Sequence, residues 1–199
     1  MDESLIVAAA GLRSRYAEPH RSYHNQAHVD TVLTVVDDLA EREKLTDEDR
    51  AVVRLAAWFH DAVYDPRATD NEQRSADLVR EVLPAAGLDP NTTDEVTRLV
   101  MVTAEHVVAP GDVRAAVLCD SDLSVLGAQP ESYDAYARQV REEYAHVPET
   151  VFAYGRSAVL TRLLAAGSLF TTTTAHDRWE TQARANLARE RAGWLSLRR

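Results

Sequence analysis

The chain has one cysteine, one lysine, few glycines and prolines, and no apolar run near the ~20 residues a membrane helix requires. Each shortage excludes something. Cys119 alone cannot close an intramolecular disulfide, which points to a reducing, cytoplasmic setting. It also excludes a thiolate-rich metal site. Glycine and proline number 7 each and fall between periodic segments, and alternating strand patterns are almost absent. Lys44 is the only lysine. A codon-biased genome and arginine's bidentate grip on phosphate are both readings of that bias. Basic side chains number 22 against 32 acidic ones, a net charge of −10. Such a field repels polyanions and argues against a long nucleic acid or an anionic membrane as partner, while leaving room for a small phosphorylated ligand. Met1-Asp2-Glu3 is acidic where a secretory signal would be basic, so no such leader is expected.

What is present describes a globular chain of 199 residues, 45% hydrophobic and 27% charged. At this length roughly 70% of the unfolded surface can be buried without staples. One domain over 1–199 is expected, with a motif-bearing core over about 20–127 and C-terminal helices over about 130–193 packed on it. Self-association stays open.

Apolar residues recur at the helical period. Val32, Val35, Val36 and Leu39 form one stripe, in a helix over about 25–43. Val53, Ala56, Ala57 and His60 form the next, after a capping box at Thr46 and Asp49. A third helix is expected from about Asp70 to Gly87, with Pro90 as its stop. Thr92 and Glu95 read as a capping box ahead of Val96, Leu99 and Val100. Further helices are expected at about 111–127, 130–146, 148–166 and 175–193, with Thr171 to Thr174 as a connection. Tyr133, Tyr136, Val140 and Tyr144 form an aromatic stripe suited to core packing. The fold class is all-α, a single helical bundle.

Of the seven histidines, His20, His146 and His176 fall near helix ends or loops. His24, His28, His60 and His106 are more informative. His28 lies one turn before Val32 on an apolar stripe, and His60 continues another with Asp61 directly after it. A carboxylate at the end of the apolar run Leu55-Ala56-Ala57-Trp58-Phe59 is costly unless paired or metal-bound. Asp120 and Asp122 lie on apolar stripes too, and either can complete a set of two imidazoles and two carboxylates. That mixed set suits Mn²⁺, Fe²⁺, Co²⁺, Ni²⁺ or Zn²⁺. A satisfied core His–Asp pair is the competing reading.

Tyr23-His24-Asn25-Gln26-Ala27-His28, Trp58-Phe59-His60-Asp61-Ala62-Val63-Tyr64, Asn71-Glu72-Gln73-Arg74-Ser75-Ala76 and Asp120-Ser121-Asp122-Leu123-Ser124-Val125-Leu126-Gly127 bear on this choice together. In combination they resemble the HD-domain superfamily of metal-dependent phosphohydrolases, specifically a bacterial branch of predicted HD phosphohydrolases. Arg141-Glu142-Glu143-Tyr144 and Ala183-Arg184-Ala185-Asn186-Leu187 extend the likeness over about residues 20–190. The resemblance implies one divalent metal ion (Mn, Fe, Co, Ni, Zn or Mg) on His28, His60, Asp61 and a later Asp. Ser121-Asp122-Leu123 fits the superfamily motif better than Asp120, which is the runner-up.

It implies a hydrolase that acts on a small phosphate ester, nucleotides included, by metal-activated water. Asp61, Glu72 and His106 are the candidate catalytic residues, with Glu72 handling the water and His106 the leaving oxygen. Glu72 also reads as a helix N-terminal carboxylate, and His106 as a core histidine. His24, Arg74 and Arg141 are candidates for substrate binding. A metal-containing nucleotide sensor without turnover is the alternative. Di-iron oxygenase chemistry is disfavoured, because only His106 lies between the His-Asp pair and the last Asp.

Overall fold

The computed structural model describes residues 11–196, and all regular structure among them is helical. The expected leader-free start at Met1-Asp2-Glu3 lies outside the described residues. After a helical stretch at residues 11–16, eight α-helices follow. These are α1 (Gln26–Arg42), α2 (Asp47–Phe59), α3 (Asn71–Ala85), α4 (Pro90–Val102), α5 (Val113–Asp122), α6 (Pro130–Glu143), α7 (Glu149–Ala165) and α8 (Thr173–Ser196). A 3-10 segment, Leu123–Gly127, leads out of α5.

Local chemistry sets the boundaries. The Asn25 side chain accepts from the Ala27 N–H to start α1, and Thr46 with Asp49 starts α2 as a capping box. The start of α4 differs from expectation. Pro90 is its first residue rather than a stop for α3, and Asp89 caps it by accepting from the Thr92 N–H. Proline fits there because the first helical N–H has no partner anyway. The third helix ends as expected at Gly87, a left-handed glycine with φ of 82°. The single helix expected over 111–127 is divided into α5 and the 3-10 segment.

One continuous apolar core joins these elements. Val29, Val32, Val36 and Leu39 of α1 meet Val53, Ala56 and Ala57 of α2, with Leu99 and Val100 of α4 and Val117 and Leu118 of α5 in the same cluster. Burying a side chain of this size stabilises by about 1.5–3 kcal/mol. Tyr133, Leu160, Ala183 and Leu187 carry the cluster into the C-terminal helices. Thus Tyr133 packs as the aromatic stripe predicts.

Polar ties fix α8 against the rest. Asn186 Nδ2 donates to the carbonyls of Leu126 and Ala128 at 2.9 and 2.8 Å. Trp179 lies so close to Gly127 that a Cβ there would sit 2.4 Å from the Trp179 Cβ. The connection into α8 hangs on Asp120, whose carboxylate accepts from the Thr171 N–H, the Thr172 N–H and the Thr172 hydroxyl at 2.7–2.8 Å.

Candidate metal centre

Three elements deliver the donors. His28 is in the first turn of α1, His60 and Asp61 follow the end of α2, and Asp122 is the last residue of α5. His60 and Asp61 both lie past Phe59, the last residue of α2. His60 is the C-cap of α2, with φ −56° and ψ −40°, and Asp61 lies in the turn beyond it.

Arg21 holds that turn. Its guanidinium donates to the carbonyls of Asp61 at 2.7 Å, Ala62 at 3.1 Å and His24 at 3.0 Å, and the residue is buried.

Both imidazoles meet both carboxylates. His28 Nε2 lies 3.1 Å from His60 Nε2, 3.4 Å from Asp61 Oδ2 and 3.3 Å from Asp122 Oδ1. His60 Nε2 lies 3.1 Å from Asp61 Oδ2 and 3.6 Å from Asp122 Oδ1. His60 Nδ1 is 2.8 Å from the Ala57 carbonyl, so as a donor there it leaves the Nε2 lone pair of the neutral ring facing His28.

Two imidazole nitrogens opposed in this way need a proton or a cation between them. Metal bonds of ~2.0–2.2 Å require donor separations of roughly 3–3.5 Å, which is the spacing observed. His28, His60 and Asp122 could therefore hold a metal ion, each offering one atom within 4.8 Å of the others. The imidazoles are nearly sealed, at 3% and 1% side-chain exposure, whereas Asp61 and Asp122 keep 17% and 16%. Solvent reaches the cluster from the carboxylate side.

The electrostatics agree with a cation-seeking site. Burial works against charge on His60, but the Asp61 charge and hydrogen bonds to Asp122 and Asp61 override it and raise its pKa well above the usual histidine value. His28 is raised against burial by hydrogen bonds to Asp122 and Asp61. Burial would raise both carboxyls, yet both are held well below the carboxylate range. His60 and His24 act on Asp61, and hydrogen bonds from His106, His28 and His60 act on Asp122.

Asp120 takes no part. Its oxygens are occupied by the α8 connection, and burial raises its pKa in spite of those donors.

His106 reaches the site from an unexpected backbone position. The α4 helix stops at Val102, and His106 sits in the following turn with φ of 53°, not on the helix. That left-handed conformation costs a non-glycine residue on the order of 1–3 kcal/mol. It brings Nε2 to 2.8 Å from Asp122 Oδ2.

His24 stacks on Tyr64, ring centroids 4.2 Å apart, and its Nδ1 lies 2.6 Å from Glu143 Oε2. Glu72, in the first turn of α3, is half-buried and makes no side-chain hydrogen bond or ion pair among the described residues. Its charge acts on the Tyr144 phenol. Arg74 is exposed on α3. Arg141 is engaged elsewhere: it donates to the carbonyls of Tyr144 at 2.6 Å and Val147 at 3.0 Å, and lies over the Phe152 ring. The structure thus gathers His24, His28, His60, Asp61, His106 and Asp122, and directs Arg141 to the α6–α7 turn.

Glu143 and Arg21 support the site without belonging to any of its sequence motifs as a donor. Glu143 accepts from the backbone N–H of Tyr23 and His24 at 2.7 and 2.9 Å, and from the Tyr64 hydroxyl at 2.8 Å. The signal was available. Tyr136, Val140 and Glu143 fall at i, i+4 and i+7, which puts a carboxylate on a buried stripe. Comparisons of the chain with protein-family models, curated proteins and solved structures give no match.

Proposed function

We propose that this protein is a metal-dependent phosphohydrolase of the HD type, acting in the cytoplasm on a small phosphate ester, nucleotides included. No helix among the described residues is long and apolar enough to cross a membrane, which is compatible with that placement. The observation that carries the reading is the nearly buried cluster of His28, His60 and Asp122, with donor spacings of 3.1–3.6 Å, and Asp61 Oδ2 at 3.4 and 3.1 Å from its two imidazoles. These four would hold one divalent cation, with Asp61 as the fourth ligand. When bound, the cation acidifies water and offsets phosphoryl charge.

The chain's own residues do the rest. His106 orients Asp122 through Nε2 and keeps Nδ1 for the proton of the leaving oxygen. The carboxylate of Glu72, without a partner among the described residues, orients water or takes its proton. His24, held by Glu143, presents its remaining ring nitrogen to the phosphate, and Arg74 can swing toward a bound anion from its exposed position. Sealing of the imidazoles keeps these charges in a low-dielectric setting, where they act more strongly than in water.

The test pairs metal analysis of the purified protein with a phosphatase and phosphodiesterase panel in Mn²⁺, Co²⁺, Ni²⁺ or Mg²⁺. Wild type should carry about one transition-metal ion per chain and release phosphate from at least one ester, and His60→Ala/Asp61→Ala should do neither. Bound metal with tight ligand binding and no turnover would identify a sensor instead. Two irons per chain with oxygen consumption would identify an oxygenase.

A further inference from the structure

The cluster opens on one side into a cavity of about 430 Å³, within the range of small-molecule sites. His28 and Asp122 both line it. An ester bound with its phosphate at the cluster can therefore place its organic part here, and the cavity wall reports what that part can be.

The wall has two kinds of surface. Val32 and Val35 of α1, Val125 of the 3-10 segment and Trp179 of α8 make it largely apolar. Gln139, Ser124 and Ser132 add neutral polar groups, and none of these three side chains has a hydrogen-bond partner among the described residues. Among the described residues no arginine or lysine lines the cavity, and Asp122 is the one carboxylate that does. Arg178 lies 5.0 Å over the Trp179 ring but is not part of the wall, and it is paired with Asp38 at 2.8 Å. A second anionic group on the ligand, away from the cluster, would meet apolar walls and neutral polar groups with no cationic side chain among them. Desolvation opposes that.

We infer that the site takes the monophosphate ester of an uncharged, ring-bearing alcohol. Its ring packs among the valines and Trp179, and its hydroxyl or carbonyl groups meet Gln139, Ser124 and Ser132. Esters whose organic part carries a second phosphate or a carboxylate are rejected. The inference rests on the phosphohydrolase reading for the phosphate end alone; the selectivity belongs to the cavity.

Calorimetric titration of the full chain with manganese present, using naphthyl phosphate and carboxynaphthyl phosphate as a matched pair, tests it. Wild type should bind the neutral-ring ester at least about tenfold more tightly, a difference of ~1.4 kcal/mol. Ser132→Arg, at an exposed rim position, should bring the ratio to within about threefold by supplying the missing cation, with Ser124→Arg as the second variant. Equal binding of the two esters by wild type, no binding of naphthyl phosphate, or a ratio unmoved in both folded variants would overturn it. Turnover is read separately. An ester that binds with this selectivity but is never hydrolysed sinks the phosphohydrolase reading and leaves the cavity assignment standing.

Discussion

Glu143 Oε2 lies 2.6 Å from His24 Nδ1, across 119 positions of sequence, and joins the end of α6 to the loop that leads into α1. The same carboxylate accepts from the Tyr23 and His24 backbone and from Tyr64, so one buried side chain fixes the orientation of a ring that faces the site. Glu143→Gln places an amide N–H against the imidazole N–H. It should lower stability by about 1–3 kcal/mol and shift the His24 tautomer, as read by denaturant midpoint and histidine NMR. An unchanged His24 spectrum would remove Glu143 from the site's support.

The pKa of Glu143 is depressed: burial opposes this, but the hydrogen bond and charge of His24 and the Tyr23 and His24 N–H groups prevail. A depressed carboxyl stabilises the fold above its unfolded value of about 4.3, and that contribution fades as pH falls through the lower folded value. Wild type should therefore lose more stability than Glu143→Gln on going from pH 5 to pH 3, in paired denaturation curves.

The cluster has the opposite dependence on its histidine side. Without metal, His28 and His60 are raised, so their contribution is complete below the unfolded value of about 6.5 and is lost as pH rises through the folded values. Metal competes with those same protons. Added Mn²⁺ or Zn²⁺ should raise Tm more at pH 8 than at pH 5.5. A Tm increment that is larger at the lower pH would contradict a His-ligated site.

The two neighbouring aspartates of α5 separate cleanly. Asp122→Asn should abolish metal binding and leave the helical signal intact. Asp120→Ala should retain metal while losing about 1–3 kcal/mol, because the Thr171 and Thr172 N–H groups lose their acceptor. Metal analysis with chemical denaturation reads both.

Gly127 is set by contact rather than by backbone conformation. Gly127→Ala would drive its Cβ to 2.4 Å from the Trp179 Cβ and 2.8 Å from its Cγ, forcing α8 outward at a cost of about 1–3 kcal/mol. Since Trp179 is a wall of the cavity, ester affinity should fall along with Tm.

Much of this was legible in the chain. The stripe of α1 and the capping box at Thr46 follow from local periodicity and chemistry, and both are present in the fold. Asp122 over Asp120 was readable from motif resemblance alone; the physical reason is a long-range bond to Thr172, which no local pattern encodes. Pro90 was read in the wrong direction because a proline after a glycine ends one helix as readily as it begins the next. The left-handed turn that carries His106 to Asp122, and the grip of Arg21 on the Asp61 turn, arise from tertiary packing that overrides helical continuation. Glu143 was visible as a charge on an apolar stripe, and its partners were not.

The most direct measurement is metal content by elemental analysis, together with phosphate release, in wild type and the His60→Ala/Asp61→Ala variant at matched helicity. Wild type should carry about one divalent transition-metal ion per chain and cleave an ester in dependence on it, and the variant should do neither. A folded wild type that holds no more metal than the variant and cleaves no phosphate ester would contradict the phosphohydrolase reading.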